Sequence, residues 1–146
     1  NLSYLYSALK DSEKNAIAKY YSDKYEKQYR PTNTLRISSE DMESALKIFN
    51  LVRNQCAHDE RLFNSDYKNI RVSNIVNYFG VTSYNNRRIV VAILYFKAVL
   101  NKSYYKKFHS ELNTIFDKYK NEFQTVSFND ILDSMGIDLS ELNKLK

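Results

Sequence analysis

Glycine and proline are nearly absent from this chain, with two and one in 146 residues. All-β folds and Rossmann-type nucleotide sites need many more turn residues, so long helices with short connections are expected. Tryptophan is missing. The single cysteine, Cys56, leaves no internal disulfide and suggests a reducing, cytoplasmic location. One cysteine and two distant histidines, His58 and His109, argue against a zinc site, and no metal or other cofactor is expected. Long hydrophobic runs are also lacking: Ile89 to Phe96 is too short to span a bilayer and is followed by Lys97. No membrane partner and no signal peptide are expected. Paired carboxylates, a phosphate loop and a Ser-His-Asp arrangement do not stand out.

What the chain has is aromatic and basic. Thirteen tyrosines and eight phenylalanines suit helix interfaces, with stacking on bases as the second use of the same rings. The net charge of +5 permits attraction to a polyanion without demanding it. The length fits one domain over residues 1–146, large enough for a sizeable core. No repeat, low-complexity tract or linker divides it.

The periodicity predicts an all-α bundle of long antiparallel helices followed by short C-terminal ones. Leu2, Leu5, Tyr6 and Leu9 recur at helical spacing. Asp11 is a candidate cap for a helix from Ser12 to about Tyr29, which Arg30-Pro31 ends. Residues 31–37 read as a loop or short extended segment, a place for a mobile lid. Ser38-Ser39-Glu40-Asp41 starts a helix expected to run to about Phe63. A short helix from Val72 to Phe79 ends at Gly80. Ser83 is a candidate cap for Tyr84 to about Leu100, and Ser103 for a helix to about Phe123. Ser127 with Asp130 starts a helix that stops at Gly136, and Asp138 to Lys146 forms one more frayed turn.

The most informative stretch is Leu51-Val52-Arg53-Asn54-Gln55-Cys56-Ala57-His58. Arginine and histidine together can cleave RNA without a metal, the one balancing charge on a phosphate and the other moving a proton. At ~100° per residue from Met42, Ala45, Leu46, Phe49, Val52 and Cys56 form the expected buried stripe, with Arg53 inside it at about 20°. Asn50, Arg61, Asn54 and His58 follow near 80°, 100°, 120° and 160°, so Asn54, His58 and Arg61 share a face. Arg53 and His58 diverge by roughly 140°. Either the long arginine swings round, or a second copy of the helix completes the site. The plain alternative is that Arg53 pairs with an acid on a neighbouring helix and His58 is a surface residue.

Arg53 to His58 resembles the Arg-x4-His signature of the HEPN superfamily of helical ribonucleases. The longer string from Leu51 to Asn64 is similar to the hallmark of the Abi family of bacterial abortive-infection proteins, Arg-Asn-x-Cys-Ala-His-His-x-Arg-Leu-Trp-Asn. It departs at Asp59, where that family has a second histidine, and at Phe63, where it has tryptophan. Leu2 to Lys10 and Ala16 to Tyr21 also resemble the preceding part, so the likeness covers about residues 2–64. It implies a HEPN-like domain, the C-terminal part of a longer Abi-like protein, since the chain opens at Asn1 without methionine. It also implies a metal-independent endoribonuclease of phage-defence or toxin type, working as a homodimer with two motifs facing one cleft. An antitoxin or a guide or structured RNA would be a further partner. On this reading His58 is the general acid or base and Arg53 holds the scissile phosphate. Asn54 orients His58 or the phosphate, and the substrate 2′-hydroxyl is the nucleophile. Arg61 is either a second phosphate contact or the partner of an acid.

Two further regions carry basic residues. Ile75 to Val81 followed by Tyr84 to Arg88 looks superficially like a helix-turn-helix, which would make the chain a DNA-binding regulator; the alternative is that Arg87 and Arg88 line an RNA path. Lys102, Tyr104, Tyr105, Lys106, Lys107 and His109 form a basic, aromatic cluster. There, Lys106 and Lys107 are candidate RNA contacts and His109, without a motif, reads as a surface residue. The alternative to a nuclease is a HEPN-fold module that binds RNA or protein without catalysis.

Overall fold

The computed structural model describes residues 1–146. Two helix starts are set by reciprocal capping. Ser38 accepts from the Asp41 N–H while the Asp41 carboxylate accepts from the Ser38 N–H, and Ser127 and Asp130 repeat this reciprocal arrangement. Eight helices result: α1 (Leu2–Ser7), α2 (Asp11–Tyr29), α3 (Ser39–Ala57), α4 (Ser73–Phe79), α5 (Val90–Val99), α6 (Lys102–Tyr119), α7 (Phe128–Met135) and α8 (Leu139–Lys144). No strand occurs, so the fold is an all-α bundle, and no helix is long and apolar enough to cross a membrane.

The axis of the bundle is α5, whose residues are all buried except half-buried Phe96. A helix apolar on every side must be surrounded, and α5 packs on α2, α3, α4 and α6. In turn α3 packs on α1 and α2. The stacked pair Phe49–Phe96 and the edge-on pair Phe96–Phe108 tie α3 to α5 and α5 to α6, at centroid separations of 5.0 and 5.3 Å. Lys97 is buried within the same core. Its ammonium donates to the Lys146 carbonyl at 2.9 Å and lies over the rings of Tyr29 and Tyr105. Burial, with Lys102 and Lys106 adding repulsion, pulls its pKa down to about 8.

Several boundaries differ from those the sequence predicts. The N-cap of α2 is Lys10, not Asp11, with the Glu13 carboxylate accepting from the Lys10 N–H. Helix α3 stops at Ala57 rather than Phe63, because Asp59 adopts a left-handed φ of 52° and the Glu60 N–H turns back to the Gln55 carbonyl. Helix α5 starts at Val90, six residues after the expected Tyr84. Tertiary bonds hold this segment: the N–H groups of Thr82 and Ser83, just before it, donate to the Glu141 carboxylate, and that of Asn85 within it to the Gly136 carbonyl. Asn101, not Ser103, precedes α6, which ends at Tyr119 instead of Phe123.

Residues 31–37 are irregular, as expected, but are pinned rather than lid-like. Leu35 and Ile37 are buried, the Ile37 N–H donates to Ser22 Oγ, and the Asn33 and Arg36 carbonyls accept from Tyr78 and Asn74. His109 is buried, not on the surface. Its Nδ1 faces the Asn113 amide nitrogen at 3.0 Å and its Nε2 faces the Leu142 carbonyl at 3.1 Å. An amide nitrogen only donates and a carbonyl only accepts, so the proton sits on Nε2.

Candidate functional site

Helix α3 presents Arg53, Asn54 and His58 from its C-terminal end. The buried face consists of Asp41, Met42, Ser44, Ala45 and Ile48, while Leu46, Phe49 and Val52 are only half-buried and Cys56 is exposed. On ideal helix geometry this face is centred roughly 90° from Met42, which carries Arg53 out of the core and into solvent. The expected stripe is therefore corrected, and with it the burial of Arg53 and Cys56. Two polar residues cause the rotation. The Asp41 carboxylate is fully buried, accepting from the Ser38 N–H and the Asn74 amide, and Arg71 Nε approaches its other oxygen at 3.5 Å. Ser44 Oγ accepts from the Arg71 N–H.

Arg53 and His58 flank the exposed side of α3 with Asn54 between them, on the same ideal geometry. Asn54 Oδ1 accepts from the Arg53 guanidinium at 3.3 Å. No acid pairs with Arg53, and the His58 side chain makes no hydrogen bond within the chain. His58 is the C-cap of α3, and its N–H donates to the Asn54 and Gln55 carbonyls. The Arg53 side borders an open depression of about 440 Å³ shared by Leu2 and Ser3 of α1 with Leu46, Phe49 and Asn50 of α3. On α1, Leu2, Tyr4 and Leu5 are all more than 60 % exposed, and Leu2 shares the depression with Arg53.

Because α3 ends at Ala57, Arg61 is not on the helix and does not share a helical face with Asn54 and His58. It is exposed in the segment that follows, and its carbonyl accepts from Ser65 Oγ. That segment is held by Gln55, a residue that sequence reasoning passed over. The Gln55 amide donates to Ser65 Oγ at 2.8 Å, and its carbonyl oxygen accepts from the buried Tyr67 hydroxyl. Burial raises the Tyr67 hydroxyl pKa.

Arg87 and Arg88 do not begin a recognition helix, since Tyr84–Ile89 is a turn region. This corrects the helix-turn-helix reading. Arg87 grips Asp66 with two guanidinium nitrogens, and that hydrogen-bonded contact holds the Asp66 carboxyl below its usual range. Arg88 donates to the Asn64 and Ser65 carbonyls. Both arginines thus brace the segment after His58. Lys106 and Lys107 are exposed on α6, where Lys107 lies 3.8 Å from Glu111. Tyr105 and His109 of the same cluster point inward, leaving Tyr104 exposed. No group of three or more His, Cys, Asp or Glu side chains is arranged to hold a metal ion.

The sequence model of a family described as Abi-like protein matches residues 1–64. The match spans α1 to α3 and the turn beyond, so it contains Arg53, Asn54, His58 and Arg61 but not Arg87, Arg88, Lys106 or Lys107. No curated protein and no solved structure matches the chain.

Proposed function

We propose that this chain is a HEPN-like, metal-independent endoribonuclease of phage defence. The observation that carries this reading is the exposed side of α3, where Arg53, Asn54 and His58 face solvent with no acid to neutralise the arginine. The similarity of residues 1–64 to Abi-like protein supports the defence role. His58 exchanges a proton with the substrate 2′-hydroxyl or the leaving oxygen. Arg53 offsets charge on the pentacoordinate phosphorus. Asn54, bonded to Arg53, keeps the guanidinium on the exposed side. The products are a 2′,3′-cyclic phosphate and a 5′-hydroxyl. Arg53 and His58 diverge on one helix, so a second copy supplies the complementary half. The exposed Leu2 beside Arg53, with Tyr4 and Leu5 exposed on the same helix, offers apolar surface for that contact.

The test is cleavage of single-stranded RNA in EDTA. Arg53→Ala and His58→Ala are expected to abolish it while leaving the circular dichroism spectrum and unfolding midpoint unchanged, because both side chains are exposed. EDTA-sensitive cleavage, or full activity of His58→Ala, would refute the mechanism. Phage plating on cells expressing each variant tests the defence role.

A further inference from the structure

Alongside α3, hydrogen-bonded to its Ser44, Lys47 and Gln55, lies an open groove of about 590 Å³ between the Tyr67–Arg71 segment and the turn at Asn86-Arg87. Its charged lining is entirely basic: Lys68, Arg71 and Arg87. Its two apolar residues, Tyr67 and Ile70, are 2 % and 7 % exposed, so they form the floor and offer no surface for a hydrophobic ligand or a stacked base. Hydrogen-bonding amides, Asn69 and Asn86, complete the lining.

Two of the cations are pre-oriented. Arg71 is held at both ends of its backbone, its N–H donating to Ser44 Oγ and its carbonyl accepting from the Tyr95 hydroxyl, while its guanidinium is steered by buried Asp41 and remains 55 % exposed. Arg87 is held by Asp66 and remains 53 % exposed. Lys68 is exposed with no ion pair. It precedes Asn69, whose left-handed φ of 58° turns the segment and whose carbonyl is tied to Lys47. Guanidinium groups and an ammonium flanked by exposed amides match phosphate oxygens rather than bases. The groove joins α3 through the Tyr67–Gln55 hydrogen bond, three residues before His58.

We infer that this groove binds the sugar–phosphate backbone of single-stranded RNA flanking the cleaved position, with Lys68 and Arg71 on phosphates. The identity of the polymer rests on the ribonuclease reading. Binding of a fluorescent 2′-O-methyl RNA oligonucleotide, which cannot be cut through its 2′ position, is measured by anisotropy against salt for the full chain. Two phosphate contacts give a slope of log K on log salt of about −1.4 for a single strand. Lys68→Glu is expected to weaken binding roughly tenfold at low salt and to reduce the slope by about 0.7. The same charge change at Lys118, exposed at the far end of α6, serves as the control. Equal effects of the two substitutions, no binding by the unsubstituted chain, or tighter binding of duplex DNA would each overturn the inference. Lys68-dependent binding without cleavage of ordinary RNA would uphold the groove and refute only the nuclease reading.

Discussion

Gly80 and Gly136 form a matched pair in which backbone strain and steric contact separate. Both end helices with left-handed φ angles, 66° and 81°. An alanine at either position takes on the left-handed penalty, about 1–2 kcal/mol. Around Gly80 an added Cβ meets nothing within 4 Å. Around Gly136 it falls 2.6 Å from Arg88 Cβ and 3.0 Å from the Asn85 carbonyl oxygen, neither of which is the end of a flexible chain. Forcing atoms into such a site costs about 1–3 kcal/mol more. Gly80→Ala is therefore expected to cost about 1 kcal/mol, and Gly136→Ala about 3 kcal/mol. With a urea slope of about 2 kcal/mol per molar, the midpoints fall by about 0.5 M and about 1.5 M. Urea unfolding followed by circular dichroism, at unchanged slope, measures both. Equal losses would refute the claim that the Asn85–Arg88 turn presses on Gly136.

Three more expectations come from single groups. Asp59→Gly is expected to stabilise by about 0.5 kcal/mol and Asp59→Val to destabilise by about 1–2 kcal/mol, since the position needs a left-handed residue; thermal melts that rank them the other way would exclude this ending of α3. Lys97, lowered to about 8 by burial and its neighbouring lysines, binds fewer protons folded than unfolded. Stability should therefore rise between pH about 8 and about 10, and Lys97→Met should remove the rise in urea midpoints. Burial alone would raise the Glu141 carboxyl, but hydrogen bonds from Lys144, Thr82 and the Ser83 N–H outweigh it and hold it low. Its contribution is complete above the unfolded value of about 4.3 and lost as pH falls through the folded value, so Glu141→Gln should flatten the acid limb of the stability curve.

The helical character of this chain was legible because periodicity and caps are local. Ser38 with Asp41, Ser127 with Asp130, Gly80 and Gly136 all act where their spacing places them. Several of the errors share one cause, a distant partner that local signals do not show. Ser83 could have capped a helix, but the Asn85 N–H that follows it bonds the Gly136 carbonyl, far along the chain, and the segment turns instead. His109 carries no motif, although its spacing with Tyr105, Leu112 and Phe116 follows a helical stripe and could have shown it to be inside. The apolar stripe read from Met42 does not include Asp41 and Ser44, which are buried. Partners from another part of the chain, Asn74 and Arg71, bring them in and turn α3 so that Arg53 faces water.

The sequence by itself determined that the chain is helical, that its core runs through Ile89 to Val99, and that Arg53, Asn54 and His58 lie on one helix. Only tertiary structure decided which way that helix faces and where it stops. It also turned Arg87 and Arg88 from the start of a helix into the braces of a loop. Helix formation is settled by neighbours three and four residues away, whereas the orientation of a helix depends on which polar groups find buried partners elsewhere in the chain.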